Sequence, residues 1–471
     1  MDDAATPTLA GGLPLLERAA RHALHYVAGA DARPVAASAT RAALAERAGA
    51  GRPLADVGED PHGVVDALAG LGDAGTVAST SPRYFGFVIG GSLPVALAAD
   101  WLVSAWDQNS GLNATSPLAS VLEETAAGWL LDVLDLPRGA SVGFVTGCQM
   151  AHVTCLAAAR HGVLSRVGHD VEADGLTGAP PVNVVVSAEA HVTIDVALRY
   201  LGFGTRAVRR VAADGQGRMR ADALASELAA LSGPTIVCAQ AGNVNTGSFD
   251  PLPAIADACA AQGAWLHVDG AFGLWARAGA AVRPRADGVE RADSWATDAH
   301  KWLNVPYDCG VAIVRERDAH RRAMTSQAAY LIQGTGYDAV DWTPEFSRRA
   351  RGVPVYAALR ALGREGVRSL VERPCRLARR FADRLGGVPG IAILNDVVLN
   401  QVLVRFDDDD AVTRAVVEGV QADGTCWLSG TTWRGLAAMR ISVSNWATGD
   451  EDIDRSAAAI RRIHAAVVRA P

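Results

Sequence analysis

The chain has 471 residues, of which 49% are hydrophobic and 20% charged, and it carries a formal net charge of −7. This composition is that of an ordinary globular protein. It offers neither a basic surface for nucleic acid nor an apolar stretch of the ~20 residues needed to span a bilayer. Seven dispersed cysteines without a Cys-x-x-Cys pair favour reduced thiols, and the acidic start does not resemble a secretion signal. We therefore expect a cytoplasmic protein whose partners are neither nucleic acid nor membrane.

The first segment, residues 1–85, is predicted to be largely helical. Apolar residues recur at helical spacing over 15–27, directly after a proline that suits a helix start. Tyr84 and Phe85 close this segment. Together with Phe87, Trp101 and Trp106 they are candidates either for an aromatic substrate pocket or for core packing. Gly90, shortly afterwards, indicates backbone that approaches another part of the molecule closely.

A large domain is predicted for residues 86–350, where short apolar runs alternate with helical patterns from about residue 140 onwards. Apolar strands that alternate with helices favour an α/β fold whose sheet is mostly parallel and covered on both faces. The polar, glycine-containing sequence at 315–350 predicts a long functional loop. The apolar runs predict six strands, at 141–145, 183–187, 235–239, 265–268, 294–296 and 311–314.

Residues 351–471 are predicted to form a separate small α+β domain. An arginine-rich helix is followed by candidate strands at 391–394 and 402–406 and by a last helix at 452–468. The four consecutive aspartates from Asp407 to Asp410 are interpreted as a solvated turn rather than as a metal site. We expect no metal ion in this protein.

Two polar residues follow predicted strands in a pattern that indicates a ligand site. Asp269 ends one strand, at the place where open α/β sheets usually bind ligands, although a turn-capping aspartate is an equally good interpretation. Lys301 follows the next strand, between His300 and Trp302. An apolar setting lowers the pKa of a lysine and makes its amine nucleophilic, whereas a surface charge is the simpler alternative.

The spacing of these two motifs resembles a known enzyme family. Asp269 in His-Val-Asp-Gly-Ala lies 32 residues before Lys301 in Ala-His-Lys-Trp. The chain is thereby similar, from about residue 81 to residue 463, to the group II pyridoxal 5′-phosphate (PLP) dependent amino-acid decarboxylases. The resemblance implies the aspartate-aminotransferase-like fold type I, with a large mostly parallel-sheet domain and a small C-terminal α+β domain. It also implies a homodimer with the active site at the interface, and release of CO2 from an L-amino acid to give the amine.

The resemblance assigns the main cofactor contacts. PLP needs a lysine for its aldehyde, a carboxylate for its pyridine nitrogen, a stacking ring and donors for its phosphate. Lys301 would hold the cofactor as a Schiff base, and Asp269 would pair with the pyridine nitrogen. Ala271 would lie beside the ring. His191, at the end of another strand, would stack on the ring and take part in catalysis, although a lone histidine is more often structural.

The phosphate is expected at the start of the helix that follows the first strand. Gly147, Cys148 and Gln149 would donate to it from the backbone, because a helix N-terminus binds anions. Many relatives have small residues or serines here, so Cys148 and Gln149 depart from the pattern, and no partner suggests a catalytic thiol. Asp298 replaces the asparagine of several relatives. Its carboxylate would repel a phosphate unless it is protonated or turned towards a donor such as His300.

Three further residues have alternative interpretations. Asn243 matches a residue near the cofactor, but a turn stabilised by its own side chain explains it equally well. Arg440 matches an arginine that binds the substrate α-carboxylate, with a structural salt bridge as the rival. Tyr337 would be the loop general acid that protonates the substrate carbon, or else merely an exposed tyrosine.

Several other activities are alternatives to decarboxylation to the amine. The same cofactor supports oxidative aldehyde formation, which loss of the loop tyrosine favours, and also aminotransferase or carbon–carbon lyase chemistry. The sequence Gly202-Phe203-Gly204 lacks the third glycine of a dinucleotide fingerprint, so a dehydrogenase is disfavoured. A hydrolase is disfavoured because no Gly-x-Ser-x-Gly elbow is present. A non-catalytic scaffold would be expected to lose Lys301 or Asp269, and both are present.

Overall fold

The computed structural model describes residues 12–325 and 336–469. Within these ranges the helices are α1 (Leu13–Ala28), α2 (Arg41–Arg47), α3 (Pro61–Gly75), α4 (Pro94–Trp106), α5 (Pro117–Val133), α6 (Cys148–Ser165), α7 (Val171–Asp174), α8 (Val192–Tyr200), α9 (Ala221–Ala229), α10 (Leu252–Gln262), α11 (Arg317–Met324), α12 (Gly352–Leu385), α13 (Asp410–Asp423) and α14 (Asp450–Arg469). The strands are β1 (Ser141–Val145), β2 (Asn183–Ser187), β3 (Arg209–Val211), β4 (Thr235–Gln240), β5 (Trp265–Asp269), β6 (Ser294–Asp298), β7 (Gly310–Val314), β8 (Ile391–Ile393), β9 (Gln401–Phe406), β10 (Ser429–Trp433) and β11 (Leu436–Ser442).

A seven-stranded sheet in the order β1-β7-β6-β5-β4-β2-β3 forms the centre of the large domain. Neighbouring strands are parallel except where β7 runs antiparallel to β1 and β6. Strands β1, β4, β5, β6 and β7 are buried along their whole length, because hydrophobic clusters under helices cover both faces of the sheet. The predicted α/β fold with a mostly parallel sheet is confirmed.

All six predicted strands of the large domain are present, and four are longer than the sequence predicted, β7 by one residue at its start. Strands β4, β5 and β6 continue to Gln240, Asp269 and Asp298. Apolar patterning ends before these polar residues, yet each is buried at the carboxyl end of its strand. Strand β3 was not predicted, because two of its three residues are exposed arginines.

The small domain contains a four-stranded antiparallel sheet in the order β10-β11-β9-β8. Its first two strands in the chain and its last helix were predicted, whereas β10 lacks an apolar run and was missed. The aspartate run forms the turn before α13. Asp409 caps this helix by accepting from Ala411 N at 2.7 Å, and Arg405 pairs with Asp408 and Asp410.

Helix α12 connects the two domains. Its axis changes direction at Gly363, whose φ of 60° and ψ of −177° are not helical. Side chains from Val355 to Cys375 pack in the large-domain core, and those from Leu377 to Leu385 pack in the small-domain core. The two cores therefore separate well after the predicted boundary at residue 351.

The N-terminal helices lie on the outside of the chain. Helix α1 pairs with α3 through Arg18 and His22, which both contact Asp66, and none of the residues of α1, α2 or α3 is buried. No helix in the described ranges is long and apolar enough to cross a membrane. All seven cysteines fall within these ranges, where they are free and buried.

Candidate active site

A cavity of about 300 Å³ opens at the carboxyl ends of β4, β5 and β6. The β1–α6 junction and β11 of the small domain complete its walls. Ten of the fourteen residues predicted for the site line this cavity: Gly147, Cys148, Gln149, His191, Asp269, Ala271, Asp298, His300, Lys301 and Arg440. The strand-end position of the predicted site is thus reproduced by the fold.

Asp269 lies at the bottom of the cavity and is 5% exposed. Its Oδ1 accepts from Ala271 N at 3.1 Å and faces the Cys148 sulfur at 4.0 Å. Its Oδ2 accepts no hydrogen bond from the residues that the structure describes. The carboxylate is therefore held by one oxygen and presents the other to a ligand.

Lys301 is the only lysine of the chain, in which every other strongly basic side chain is an arginine. Its Nζ lies 2.9 Å from Asp298 Oδ2. Burial is the largest single influence and lowers the pKa of Lys301, but the neighbouring acidic groups, with Asp298 first among them, together hold this pKa above its ordinary value. The expectation of a lowered lysine pKa is therefore wrong for this arrangement, because it overlooked the adjacent carboxylate.

Asp298 connects this lysine to the start of α6. Its Oδ1 accepts from Cys148 N at 2.6 Å and lies 3.5 Å from His300 Nε2. The carboxylate thus occupies the helix N-terminus at which an external anion was expected. Gly147 has no side chain that would cover this junction. Burial raises the pKa of the Cys148 thiol, which keeps the thiol in the unreactive protonated form.

Two histidines flank the lysine. His191 is the N-cap of α8, and its Nδ1 lies 2.8 Å from Thr193 Oγ1. His300 Nδ1 accepts from Cys309 N at 3.2 Å, and its ring stacks on Tyr307 with centroids 4.1 Å apart. Burial lowers the pKa of both histidines, so both rings are neutral at pH 7.

Arg440 enters the cavity from β11 as a buried cation. Its Nε has no hydrogen-bond partner, and no carboxylate of the described residues pairs with it. Burial lowers the pKa of Arg440 to about 10, so the side chain still carries its charge at pH 7. An unpaired buried cation is costly unless a ligand supplies the missing anion.

Tyr337 does not reach the cavity. Its phenol donates to the carbonyl oxygen of Val142 on β1 at 3.1 Å, and its ring faces Trp342. Burial raises the pKa of Tyr337 above its ordinary value. The structure therefore contradicts its placement as the loop general acid. The neighbouring loop residues 326–335, which include the predicted Gln333-Gly334-Thr335 sequence, lie outside the described residues.

Three other predicted contacts are also corrected. Phe85 is fully buried in the small-domain core, edge-on to Phe381, and Tyr84 stacks on Trp427. Neither lines the cavity, so core packing was the right alternative for this pair. Asn243 organises a turn, since its Oδ1 accepts from the backbone of residues 245 and 246 and its amide donates to a glutamine oxygen.

The sequence reasoning missed several residues that do line the cavity. Gln240 ends β4 directly beside Asp269, and its position one residue past a predicted strand was the available signal. Phe272 adds aromatic surface and was also missed, whereas Phe87, a predicted pocket or core candidate, does line the cavity. The close approach predicted at Gly90 is confirmed, because a Cβ there would lie 1.9 Å from the carbonyl oxygen of Lys301.

Comparison with known proteins identifies the family of the chain. The model of the family described as "Pyridoxal-dependent decarboxylase conserved domain" matches residues 70–407. The chain belongs to this decarboxylase family. It is a PLP-dependent carboxy-lyase of amino-acid metabolism, and it forms an amine from its amino-acid substrate.

Curated members of the family differ in their named substrates. The chain is 32% identical to an L-2,4-diaminobutyrate decarboxylase of Rhizobium meliloti (strain 1021) over 74% of this chain and 71% of that one. It is 28% identical to an acidic amino acid decarboxylase of Homo sapiens, covering 72% and 66% of the two chains. It is 27% identical to an aromatic-L-amino-acid decarboxylase of Bacillus atrophaeus, covering 79% of each.

Solved structures of decarboxylases share the fold. A structure of Oryza sativa TDC with PLP and tryptamine has a TM-score of 0.90 and 23% identity, and covers 98% of this chain and 99% of that one. Mouse CSAD also has a TM-score of 0.90, with 22% identity and coverage of 97% and 99%. The predicted fold type I is confirmed.

The residues of the cavity fit PLP. Its one lysine, a carboxylate with a free oxygen, a neutral histidine and a helix N-terminus are the partners that the aldehyde, the ring nitrogen, the ring face and the phosphate need. Asp298 is the one group whose charge opposes a phosphate at this place. A phosphate can therefore bind here only if Asp298 Oδ1 releases its hydrogen bond from Cys148 N.

Proposed function

We propose that this cavity is the active site of the decarboxylase. Lys301 holds the cofactor, and Asp269 pairs with its ring nitrogen through the free Oδ2. The N-terminus of α6, from Gly147 to Gln149, holds the phosphate. The support is that one lysine, one free carboxylate oxygen and one helix N-terminus meet in a single cavity.

The cofactor supplies an electron-withdrawing ring that stabilises the negative charge left when CO2 departs. The protein residues supply position and charge. Asp269 keeps a negative charge beside the ring nitrogen and so favours its protonated form. His191, neutral and fixed by Thr193, is placed to cover the ring and to exclude water from one face.

We infer that Arg440 binds the substrate carboxylate. This inference depends mainly on the unpaired, buried guanidinium, which has no anion among the described residues. Arginine binds a carboxylate through two parallel hydrogen bonds, which fixes the orientation of the bond to be broken. Positioning the reacting bond is a principal way in which such sites lower a barrier.

We propose a substrate whose side chain is apolar or aromatic. Phe87, Val88 and Phe272 supply apolar wall. Arg440 is engaged by the α-carboxylate, and the two acidic groups of the cavity, Asp269 and Asp298, are engaged by cofactor and lysine. No described charge of the cavity then remains for a second carboxylate or for a side-chain ammonium.

The substrate assignment is tested by CO2 release from a panel of L-amino acids. The panel includes tryptophan, phenylalanine, glutamate, cysteine sulfinate and 2,4-diaminobutyrate. We expect the highest kcat/KM for an aromatic or large apolar member. A preference for an acidic or diamino substrate would contradict the assignment, and absence of any CO2 release would contradict the active site itself.

The reaction consumes one proton for each amine formed. Lys301 would be a described cavity group able to donate it, since its Nζ would be free of the cofactor while the substrate amine is attached there. The Asp298 carboxylate, 2.9 Å away, favours the protonated form of this Nζ. We propose that the Lys301 ammonium returns the proton to the substrate carbon.

We propose that two chains associate. Apolar side chains remain exposed along three helices of the described chain, and clustered exposed apolar side chains are typical of protein–protein contacts. Phe87, which lines the cavity, is itself 55% exposed, so a second chain on this side would help to close the site. The exposed large apolar residues are Leu13, Leu16, Leu24 and Val27 of α1, Val95, Trp101, Leu102 and Trp106 of α4, and Leu118, Val121 and Trp129 of α5.

Sedimentation equilibrium tests this association. The wild-type protein should have twice the mass of one chain, and the variant that combines Trp101→Glu with Leu102→Glu should have the mass of one. The control is Leu436→Glu, at an equally exposed apolar residue of the small domain. A wild-type monomer, or a control that dissociates as readily, would contradict the proposed interface.

A further inference from the structure

A row of buried, hydrogen-bonded side chains leads from Trp265, the first residue of β5, to Asp269, the last residue of the same strand. Trp265 Nε1 donates to Ser294 Oγ at 2.9 Å, and the same oxygen lies 2.9 Å from His267 Nδ1. His267 Nε2 lies 3.0 Å from His152 Nδ1. All four side chains are fully buried.

The end of this row faces the carboxylate that the proposed function assigns to the cofactor ring. His152 Nε2 lies 3.5 Å from the Cys148 sulfur and 3.6 Å from Asp269 Oδ1. At this second distance the attraction to the carboxylate is electrostatic rather than a full hydrogen bond. Asp269 Oδ2, on the other side of the carboxylate, is left for the cofactor.

Which atom donates in each of these hydrogen bonds follows from Trp265, the first residue of the row. An indole nitrogen can only donate, so Trp265 uses one of the two lone pairs of Ser294 Oγ. If His267 Nδ1 also donated to this oxygen, the buried Ser294 proton would have no acceptor among the described residues. The arrangement that satisfies every group therefore has Ser294 donating to His267 Nδ1. A histidine that accepts at Nδ1 carries its proton at Nε2 when neutral.

The same reasoning gives the protonated nitrogen of both imidazole rings. His267 donates from Nε2 to His152 Nδ1, so His152 also carries its proton at Nε2. Burial lowers the pKa of both histidines to about 3, which keeps both rings neutral and preserves this single arrangement of protons. The last N–H of the row therefore faces Asp269.

We propose that His152 is a positioning residue for Asp269, and that Trp265, Ser294 and His267 fix its tautomer so that an N–H always faces the carboxylate. This proposal rests on the proposed role of Asp269 towards the cofactor. A neutral donor behind the carboxylate stabilises its ionised form without competing for Oδ2. The ring nitrogen then keeps its proton, which is the state that withdraws electrons best.

A metal ion is the rival occupant of this place. One ligand atom each from Cys148, His152 and Asp269 lies within 4.8 Å of the others, and all three residues are buried. Metal binding at His152 Nε2 requires that nitrogen to be free of its proton. The protonation state of this one atom therefore separates the two possibilities.

The first experiment measures the tautomers by 15N NMR of the histidine-labelled full chain, with and without PLP. Resonances of His152 and His267 are assigned by their loss in His152→Leu and His267→Leu. We expect both rings to be neutral, with the proton on Nε2, in both states. A His152 that lacks the Nε2 proton would overturn the proposal, whether or not Asp269 binds the cofactor.

The second experiment follows the ring nitrogen of 15N-labelled PLP bound to the protein. His152→Leu should move this resonance towards the unprotonated value and raise the PLP dissociation constant about 2-fold or more, the lower end of the effect of one hydrogen bond, because the contact is longer than a full hydrogen bond. His152→Gln, which retains an N–H donor, should restore most of both. Ser294→Ala should reduce the Nε2–H population of His152 while leaving that side chain in place.

The matched control is His320, another fully buried histidine whose pKa burial lowers to about 3. It contacts Ser141 and the backbone oxygen of Trp342, outside the cavity. His320→Leu should leave the PLP ring-nitrogen resonance unchanged. An equal shift in His320→Leu, or no shift in His152→Leu, would overturn the proposal. An unprotonated ring nitrogen in the wild-type protein would instead refute the assigned role of Asp269, with the tautomer result still standing.

Discussion

The pair formed by Lys301 and Asp298 can be tested directly by the substitution Asp298→Asn. Asparagine removes the negative charge that lies 2.9 Å from Lys301 Nζ. It retains an oxygen that can accept the Cys148 N–H in the place of Asp298 Oδ1, which lies 2.6 Å from Cys148 N. The substitution therefore changes the charge at this place and preserves the hydrogen bond at the start of α6.

The sign and size of the effect follow from the two influences on Lys301. Burial lowers the pKa of this lysine, and the neighbouring acidic groups, with Asp298 first among them, together raise it. An opposite charge at contact distance shifts a pKa by ~1–3 units. Loss of the Asp298 charge should therefore lower the pKa of Lys301 by about this amount, and the free-amine fraction near pH 7 should rise ~10-fold or more.

The assay uses the fact that the chain contains a single lysine. Labelling with 13Cε-lysine gives one side-chain resonance, which needs no assignment, and its shift is followed against pH in the cofactor-free protein. The wild-type midpoint should lie above the ordinary lysine value of ~10.4, and that of Asp298→Asn should lie ~1–3 units below the wild-type midpoint. The rate of PLP attachment should rise at neutral pH, and inorganic phosphate should compete more strongly.

The matched control is Asp293→Asn, at the opposite end of the same strand. Asp293 accepts from Leu266 N at 2.8 Å and lies away from the cavity. It should leave the Lys301 midpoint unchanged. If Asp298→Asn also leaves it unchanged, the explanation of the raised lysine pKa is wrong. If the wild-type midpoint lies below the ordinary value, the ion pair does not govern this lysine.

Three further substitutions test the remaining assignments. Asp269→Asn should weaken PLP binding ~10-fold or more, the effect of one charge-assisted hydrogen bond, and should abolish most turnover; wild-type behaviour in titration and turnover would refute its role. Arg440→Gln should raise KM at least ~10-fold while PLP affinity is unchanged, and an unaltered KM would exclude carboxylate binding there. Tyr337→Phe should lower the unfolding free energy by ~1 kcal/mol, because it removes the hydrogen bond to the Val142 carbonyl oxygen. It should not change the ratio of amine to aldehyde among the products. A shift towards aldehyde, ammonia and oxygen consumption would restore Tyr337 as the proton donor. Tyr330→Phe is measured beside it, because this other tyrosine of the loop lies outside the described residues.

Local patterning was sufficient to predict the sheet and the place of the site. Continuous apolar runs mark strands that are buried on both faces, and ligands gather at the carboxyl ends of such strands. Asp269 and Lys301 were found in this way, and the family resemblance fixed their pairing. Gln240 was missed although it ends the strand beside Asp269, because a buried amide carries no pattern of its own.

The errors concern contacts between distant parts of the chain. The aromatic segment with Tyr84 and Phe85 could equally face a pocket or a core, and only its packing on the small domain decides for the core. Tyr337 was placed by its loop, yet its phenol bonds to β1. The pKa of Lys301 was assigned the wrong sign, because its distance to the Asp298 carboxylate depends on the turn that joins them.

The covalent link to Lys301 is the central claim, and borohydride reduction of the PLP-loaded protein tests it most directly. Reduction should fix one pyridoxyl group per chain, and peptide mapping should find it on the peptide that contains Lys301, the one lysine available. Lys301→Ala, with the visible absorbance of the bound cofactor recorded before reduction, should show neither that absorbance nor the label. Label on the N-terminal amine alone, or a Lys301→Ala protein that still binds PLP covalently, would contradict the account.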